Sequence, residues 1–239
     1  MGKKLHMQRR GKGSNVFRKP PNRYKADIKF APRVQTGKTV EEVIELIDDP
    51  GHTAPLMLVR TDDMYDRALI APEGIKVGDK IQEGQDASIG LGNILPIGKI
   101  PEGMPVYNIE VTPGDGGKLV RAAGCFATVV SHTQGTTTIA MPSKMSVEIP
   151  NECRAEIGIT AGGGMEMQPI MKAGKNFYIK HAINSYWPGN RGVKSNPVDH
   201  PFGGKQHHKG ASSIVSRNAP PGAKVGHIAA SRVGRRKRG

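Results

Sequence analysis

Short apolar runs recur along the middle of the chain, between residues 34 and 158. They are rich in Val and Ile and are separated by turn-forming combinations such as Asp-Asp, Pro-Glu-Gly and Gly-Asp, which is typical of β-strands. The predicted strands are residues 56–60, 68–71, 75–81, 87–91, 106–111, 118–122, 127–132, 136–141, 145–149 and 154–158. Short strands at such regular spacing favour two small barrels of about five strands each over an α/β fold. The hinge between them is predicted near residues 84–87.

One segment of this region carries conflicting signals. Apolar residues at positions 40, 43, 44 and 47 have helical spacing, and Thr39 with Glu42 has the pattern of a capping box. Asp49-Pro50-Gly51 then ends the element. Taken locally the pattern predicts a helix, although the Val and Ile content also allows a strand.

The two ends of the chain show no sustained apolar period. Residues 1–33 alternate basic residues with Gly and Pro, which predicts an extended arm that is disordered when free in water. Residues 161–239 are rich in Gly, Pro, His and Lys. Loops beyond about 12–15 residues are uncommon inside compact domains. These segments are therefore expected to need an external surface on which to become ordered.

Charge divides the chain in the same way as the apolar pattern. Residues 1–33 contain 11 basic residues and 1 acidic residue, a net charge of +10. Residues 34–153 contain 9 basic and 17 acidic residues, a net charge of −8, and residues 154–239 contain 15 and 3, a net charge of +12. A surface shaped only for solubility would mix its charges. The separation predicts that both ends bind a polyanion.

Basic side chains of the two ends are the candidate nucleic-acid contacts. Lys and Arg neutralise phosphates and release counterions, and Arg can hold a phosphate with two parallel hydrogen bonds. A solvated tail or a nuclear-localisation run is the alternative interpretation. The predicted cationic contacts are Arg9, Arg10, Lys12, Arg18, Lys19, Arg23, Lys25, Arg191, Lys194, Lys205, Arg217, Arg232, Arg235, Arg236, Lys237 and Arg238, joined by the protonatable His207 and His208.

Asp199 and His200 form a dyad between two prolines and could carry chemistry. A carboxylate beside an imidazole raises its basicity, and a general base is one interpretation. No nucleophile or oxyanion hole stands beside the dyad in the sequence. The pattern therefore favours a histidine that hydrogen-bonds RNA while Asp199 holds the loop.

Other candidate sites are weaker. His207 and His208 are adjacent and lack the i, i+4 spacing of a helical zinc pair, so no metal site is predicted. The glycines around Asp115 predict a turn rather than a phosphate cradle. Cys125 and Cys153 show no zinc spacing and indicate buried, reduced thiols. No apolar run approaches a membrane span, which predicts a soluble, cytoplasmic protein.

Several motifs resemble the family of the universal large-subunit ribosomal protein number two. The segment that resembles the family signature is NPVDHPFGG at residues 196–204. PGDGG at 113–117 and CRAEIG at 153–158 are further similarities. Shorter similarities are RAAG at 121–124, KAG at 172–174, WP at 187–188 and RGV at 191–193. SRNAPPG at 216–222 and RYKAD at 23–27 resemble the archaeal and eukaryotic branch.

This resemblance implies an all-β fold with four parts. They are a basic arm at 1–33, an OB-type barrel at 34–86, an SH3-like barrel at 87–160 and an extended basic segment at 161–239. It also implies that residues 40–47 form a barrel strand, because burial in a barrel can outweigh local helix propensity.

The family implies a structural, primary rRNA-binding component of the large ribosomal subunit. Its expected partners are large-subunit rRNA and neighbouring ribosomal proteins, with possible small-subunit and tRNA contacts. No cofactor is expected beyond Mg²⁺ bridging to rRNA. Asn196, His200, Gly203 and Gly204 become expected rRNA contacts, and His200 with Asp199 a candidate pair near the peptidyl transferase centre. Lys205 stands where relatives often have a third Gly, and Lys194-Ser195 replaces Ala-Met.

Three hypotheses about function follow. The first is a structural rRNA-binding protein, and the second is an enzyme in which His200 is the base for acyl transfer. The third is an OB-fold nucleic-acid binder outside the ribosome. Such binders stack bases on aromatic residues, and the scarcity of aromatics in the barrel region (Tyr65, Tyr107 and Phe126) counts against it.

Overall fold

The chain divides into two compact units. The computed structural model describes residues 2–18, 24–32, 37–61, 64–204 and 213–234. One unit, here named the β unit, is Pro21–Met171. The other, named the cationic unit, combines Met1–Pro20 with Lys172–Gly239. The two ends of the sequence thus belong to one unit.

The described part of the β unit contains one ten-stranded sheet. Its strands are β1 (Lys38–Ile47), β2 (Leu56–Thr61), β3 (Asp66–Ile70), β4 (Lys80–Gly84), β5 (Ile94–Pro96), β6 (Pro105–Tyr107), β7 (Ala127–His132), β8 (Thr136–Ala140), β9 (Ser146–Pro150) and β10 (Arg154–Ile157). The strand order is β3-β2-β1-β4-β5-β10-β6-β7-β8-β9. Neighbours pair antiparallel except β4 and β5, which are parallel through Glu83 and Ile94. The mostly-β fold class is confirmed.

Three groups of buried apolar residues form the core of the β unit. One follows the first half of the sheet and includes Val43, Met57 and Ile81. Another follows the second half and includes Ile109 and Ile139, while a third contains Leu56, Ile70 and Tyr107. Each such side chain contributes about 1.5–3 kcal/mol through burial. Residues 24–32 also pack in this unit, with Ile28 and Phe30 buried.

Residues 38–47 are a strand, as the family resemblance implied, and the local helix pattern is overridden. β1 pairs with β2 on one side and with β4 on the other. A bulge between Val43 and Glu45 shifts the register. Val43 is fully buried and Ile47 is 9% exposed. A central strand gains hydrogen bonds on both edges and packing on its faces, which outweighs the small helix propensity of these residues.

Several predicted strands are wrong in extent. Residues 75–79 form a turn before β4, and residues 87–91 form a loop in place of a strand. The missed strand β5 follows three residues later. β6 ends at Tyr107 because Asn108 has a φ of 46°, and residues 118–122 contribute a single bridge from Leu119 to Ile109. Periodicity cannot locate such left-handed backbone positions.

The cationic unit contains helices that the sequence pattern missed. Its described elements are α1 (His6–Gly11), α2 (Ala173–Ala182), β11 (Ile214–Val215) and β12 (His227–Ile228), with 3₁₀ turns at Asn15–Phe17 and Gly192–Lys194. β11 and β12 pair in parallel. Neither helix has a buried residue. Neither therefore needs the apolar stripe at helical spacing by which a helix is predicted from the sequence. Among the described residues of this unit, Leu5 alone is buried.

Candidate nucleic-acid interface

Charge separates the two units more sharply than it separates the sequence blocks. The cationic unit contains 21 basic residues and 1 acidic residue, a net charge of +20. The β unit contains 14 basic and 20 acidic residues, a net charge of −6. A unit with this excess of positive charge repels itself and attracts polyanions.

The predicted cationic contacts that the structure describes are all exposed. Those in the cationic unit are Arg9, Arg10, Lys12, Arg18, Arg191, Lys194, Arg217 and Arg232. Lys25 is also exposed but belongs to the β unit, where its backbone N–H donates to Asp49 at 3.0 Å. Lys19, Arg23, Lys205, His207, His208, Arg235, Arg236, Lys237 and Arg238 lie outside the described residues.

The loop at 191–204 is held together by short-range hydrogen bonds. The carbonyl of Asn196 accepts the N–H groups of Asp199 at 2.9 Å and His200 at 3.1 Å. The carbonyl of His200 accepts the N–H of Gly203 at 2.9 Å. These contacts bring Asn196, Asp199, His200 and Gly203 into one compact turn, so the predicted loop residues are neighbours in space.

Two glycines of this loop are required by close packing. A Cβ on Gly192 would overlap the His200 ring, and a Cβ on Gly203 would overlap the backbone of Asn196. A Cβ on Gly204 would meet no atom within 4 Å. Gly203 therefore serves the packing of the loop itself, whereas Gly204 leaves its backbone open to an approaching ligand.

His200 and Asp199 have different partners in the structure. The backbone N–H of Phe202 donates to His200 Nδ1 at 3.0 Å, so Nδ1 is the acceptor and Nε2 carries the hydrogen. Asp199 Oδ1 lies 3.1 Å from Lys3 Nζ, and the Lys3 N–H donates to the carbonyl of Val198 at 2.8 Å. Asp199 thus fastens the loop to the N-terminal segment. His200 offers an N–H donor, because its unprotonated nitrogen is already occupied.

His200 also borders a cleft of about 370 Å³ in the cationic unit. Its walls include Lys3, Lys4 and Pro201. The His200 and Phe202 rings meet edge to face, with centroids 5.0 Å apart, a contact that favours this imidazole orientation. Lysines beside an oriented N–H donor can hold an anionic oxygen in this cleft.

The β unit contains a buried chain of alternating charges that the sequence analysis did not find. It runs Glu41–Arg67–Glu83–Arg154–Glu110. Arg154 Nη1 lies 2.7 Å from Glu83 Oε1, and its Nη2 lies 2.8 Å from Glu110 Oε1. The sequence blocks counted Arg154 with the cationic C-terminal end, but here it neutralises carboxylates. Glutamates inside apolar strand runs, such as Glu41 and Glu83, were the available signal.

The glycine turn at 113–117 is closed by carboxylates. Glu110 accepts the N–H groups of Gly114 at 3.3 Å and Gly116 at 3.1 Å. Asp115 accepts the Gly117 N–H at 3.3 Å. Because acidic oxygens fill these donors, the segment is a turn and not a phosphate cradle, as predicted.

The remaining predicted features have simple environments. Both cysteines are free thiols, and Cys153 is buried as predicted, whereas Cys125 is only half-buried and the prediction of its burial was wrong. None of the helices in the described part of the chain has the length and apolar character needed to cross a membrane.

A mainly β unit and a strongly cationic unit with almost no core together indicate a protein that binds polyanions. Comparison with known proteins gives the family. The model of the family described as "Ribosomal Proteins L2, C-terminal domain" matches residues 90–224. The chain is 48% identical over 240 residues to the large ribosomal subunit protein uL2 of Methanococcus vannielii. It is 47% identical over 240 residues to the protein of that name from Methanococcus maripaludis strain C5. Both alignments cover 99% of this chain and 100% of the relative.

The chain belongs to the ribosomal protein L2 family. Both relatives are archaeal, which agrees with the branch indicated by the motifs at 23–27 and 216–222.

Proposed function

We propose that the protein is a structural component of the large ribosomal subunit that binds rRNA through its cationic unit. The observation that carries the proposal is the distribution of charge, +20 on one unit and −6 on the other, in a chain of this family. The cationic unit has little core of its own, so bound RNA would supply the surface on which its segments order. Its place of action is then the ribosome, in the cytoplasm.

For the β unit, the proposal is an OB-type barrel at 34–86 followed by an SH3-like barrel at 87–160. Most of one apolar group lies on β1–β4, and another lies on the strands from β5 onward, which supports two successive cores. The third group joins residues of β1–β3 to Tyr107 of β6. The arms at 1–33 and 161–239 would then be the rRNA-binding parts, apart from residues 24–32, which pack in the β unit.

The proposed rRNA contacts combine exposed cations with the 196–204 loop. They are the predicted Arg and Lys residues of both ends together with Asn196, His200, Gly204, His207 and His208, while Gly203 supports the loop by close packing. Mg²⁺ bridging between protein and rRNA belongs to this proposal. So do contacts with neighbouring ribosomal proteins, with the small subunit and with tRNA.

A binding role for His200 is favoured over a catalytic one. A general base needs an unprotonated nitrogen directed at the substrate. The Phe202 N–H occupies His200 Nδ1, and the ring presents its other nitrogen as a donor. The proposed role of His200 is therefore to hold an RNA oxygen near the peptidyl transferase centre.

The salt dependence of RNA binding tests the proposal. Each phosphate contact contributes about −0.7 to −0.9 to the slope of log K against log salt. Binding of the full chain to large-subunit rRNA should weaken steeply as salt rises, and Arg9→Ala with Lys12→Ala, both exposed, should reduce the slope by about two contacts. Lys76→Ala with Lys80→Ala, on the exposed surface of the β unit, is the matched control and should leave the slope unchanged. A flat plot for the unaltered chain would refute the proposal.

A further inference from the structure

Three aromatic rings from distant parts of the sequence meet on the cationic unit. The His6 ring centroid lies 3.8 Å from that of Tyr186 and 4.9 Å from that of Phe17. We name these residues the aromatic cluster. His6 lies in α1, Phe17 ends the next 3₁₀ turn, and Tyr186 follows α2.

Hydrogen bonds fix this arrangement. The Asn184 side chain donates to the carbonyls of Asn15 at 3.0 Å and Arg18 at 2.6 Å. Asn184 has a φ of 51°, and the Ser185 N–H donates back to the Lys180 carbonyl at 2.8 Å. The chain after α2 is thus fastened to the 3₁₀ turn, which positions Tyr186 against His6.

The aromatic cluster borders two open clefts. One of about 480 Å³ also includes Arg10, Met7 and Ile183 in its walls. The other, of about 980 Å³, has Lys3, Lys4, Arg9 and Lys12 in its walls. Tyr186 is 57% exposed and the neighbouring Met7 is 70% exposed. Large apolar and aromatic surfaces stay open to solvent here, in a unit that has little core to spare.

This combination fits a nucleotide. Unpaired RNA bases stack on aromatic rings and on Arg guanidinium planes, while cations beside the rings hold the flanking phosphates. A protein partner would have to supply many carboxylates to match a lining with four basic residues and no acidic one. Charge complementarity therefore favours RNA as the occupant.

We propose that the aromatic cluster stacks an unpaired RNA base, with Arg10 against that base and Lys4, Arg9 and Lys12 of the larger cleft on its flanking phosphates. This inference rests on the proposed rRNA binding. It adds that the RNA element recognised is a bulged or looped-out nucleotide and not a continuous helix. The cluster lies apart in sequence from the 196–204 loop.

The test compares two RNA hairpins that differ by one bulged nucleotide. The bulged position carries 2-aminopurine, whose fluorescence reports stacking. The full chain should prefer the bulged hairpin and quench the probe. Tyr186→Ala should lower that preference by about tenfold, since one base stacked on an aromatic ring has an effect of this order. Tyr186→Phe keeps the ring and should keep the preference.

Tyr178→Ala is the matched control. Tyr178 is a 74% exposed tyrosine on α2 outside the aromatic cluster, so its removal should leave the preference and the quenching unchanged. The salt slope should be the same in all three variants, because tyrosine makes no ionic phosphate contact.

Several results would overturn the inference, and they differ from failure of the proposed function. If RNA binding weakens steeply as salt rises but the affinity for the two hairpins is equal, base stacking is refuted while the proposed rRNA binding stands. Equal losses in Tyr186→Ala and Tyr186→Phe would assign the effect to the hydroxyl and refute stacking. Release of a neighbouring protein from assembled subunits by Tyr186→Ala, with RNA preference intact, would make the cluster a protein-docking site. Flat salt dependence would remove both proposals.

Discussion

Arg154 and Glu156 lie two residues apart on β10, and both are buried. The hydrogen-bond partners of the two side chains differ. Arg154 reaches two carboxylates and the Ala31 carbonyl, so its charge is compensated. Glu156 accepts one hydrogen bond from the Asn108 side chain at 2.6 Å, and its Oε2 has no hydrogen-bond partner among the described atoms. Burial raises the pKa of Glu156 to about 8. At neutral pH this side chain is mainly protonated.

The pKa of Glu156 predicts a pH dependence of stability. Because the folded-state pKa is raised above the unfolded value, the folded chain binds the proton more tightly. The stability that this proton contributes is complete below about pH 4.5 and is lost as pH rises through about 8. Each unit of pKa difference corresponds to about 1.4 kcal/mol. Glu156→Gln should remove this dependence.

Chemical denaturation of both chains between pH 5 and 9 measures the difference. The free energy of unfolding of the unaltered chain should fall relative to Glu156→Gln as pH rises. The pKa of Glu41 is also raised, by burial, but this residue is present in both chains and cancels. Parallel profiles would show that Glu156 ionises normally in the folded protein.

Strands were predicted correctly where apolar and polar residues follow a simple pattern along the sequence. β7 begins and ends where the apolar alternation of residues 127–132 placed it, and β2, β8 and β9 agree to within one residue at each end. Residues 87–91 were also predicted as a strand but form a loop, because the strand that pairs with β4 and β10 begins at Ile94. α2 was missed because it buries nothing, and exposed helices show no periodic stripe.

The buried charge chain joins elements that are distant in sequence, and Arg154 links Glu83 to Glu110 in it. Arg154→Met would leave Glu83 and Glu110 buried without their shared cation, which costs about 3–5 kcal/mol of unfolding free energy. Arg60→Ala, which removes the exposed pair with Asp66, is the control and should have a far smaller effect. Denaturant unfolding measures both.

A second variant separates charge from packing at this position. If charge is the cause, adding Glu110→Gln to Arg154→Met should restore part of the lost stability, since one uncompensated carboxylate is removed. Additive losses in the double variant would mean that Arg154 acts through its shape alone.

At the scale of the molecule, the buried apolar core and the excess of positive charge lie in different units. All three apolar groups lie in the β unit, whereas the cationic unit has one buried residue among those described. The β unit should therefore fold without the cationic unit, because ordering a chain requires enough buried apolar area to offset its conformational entropy.

Residues 21–171 alone should unfold in one cooperative thermal transition and bind rRNA weakly at any salt concentration, given a net charge of −6. Circular dichroism and the salt titration described above measure the two properties. A fragment that fails to fold, or that binds rRNA as steeply as the full chain, would contradict the separation of roles.

The amino-acid sequence by itself determined the family, the β-rich class and the cationic character of both ends, because motifs, apolar spacing and charge are local or additive properties. Only the tertiary structure decided that Arg154 lies inside the β unit, that Gly203 serves the packing of its own loop, and that His200 presents a donor. It also decided that His6, Phe17 and Tyr186 meet. Each of these facts depends on contacts within a few ångströms, either between residues distant in sequence or between residues that a loop turns toward each other. No local sequence pattern encodes such contacts.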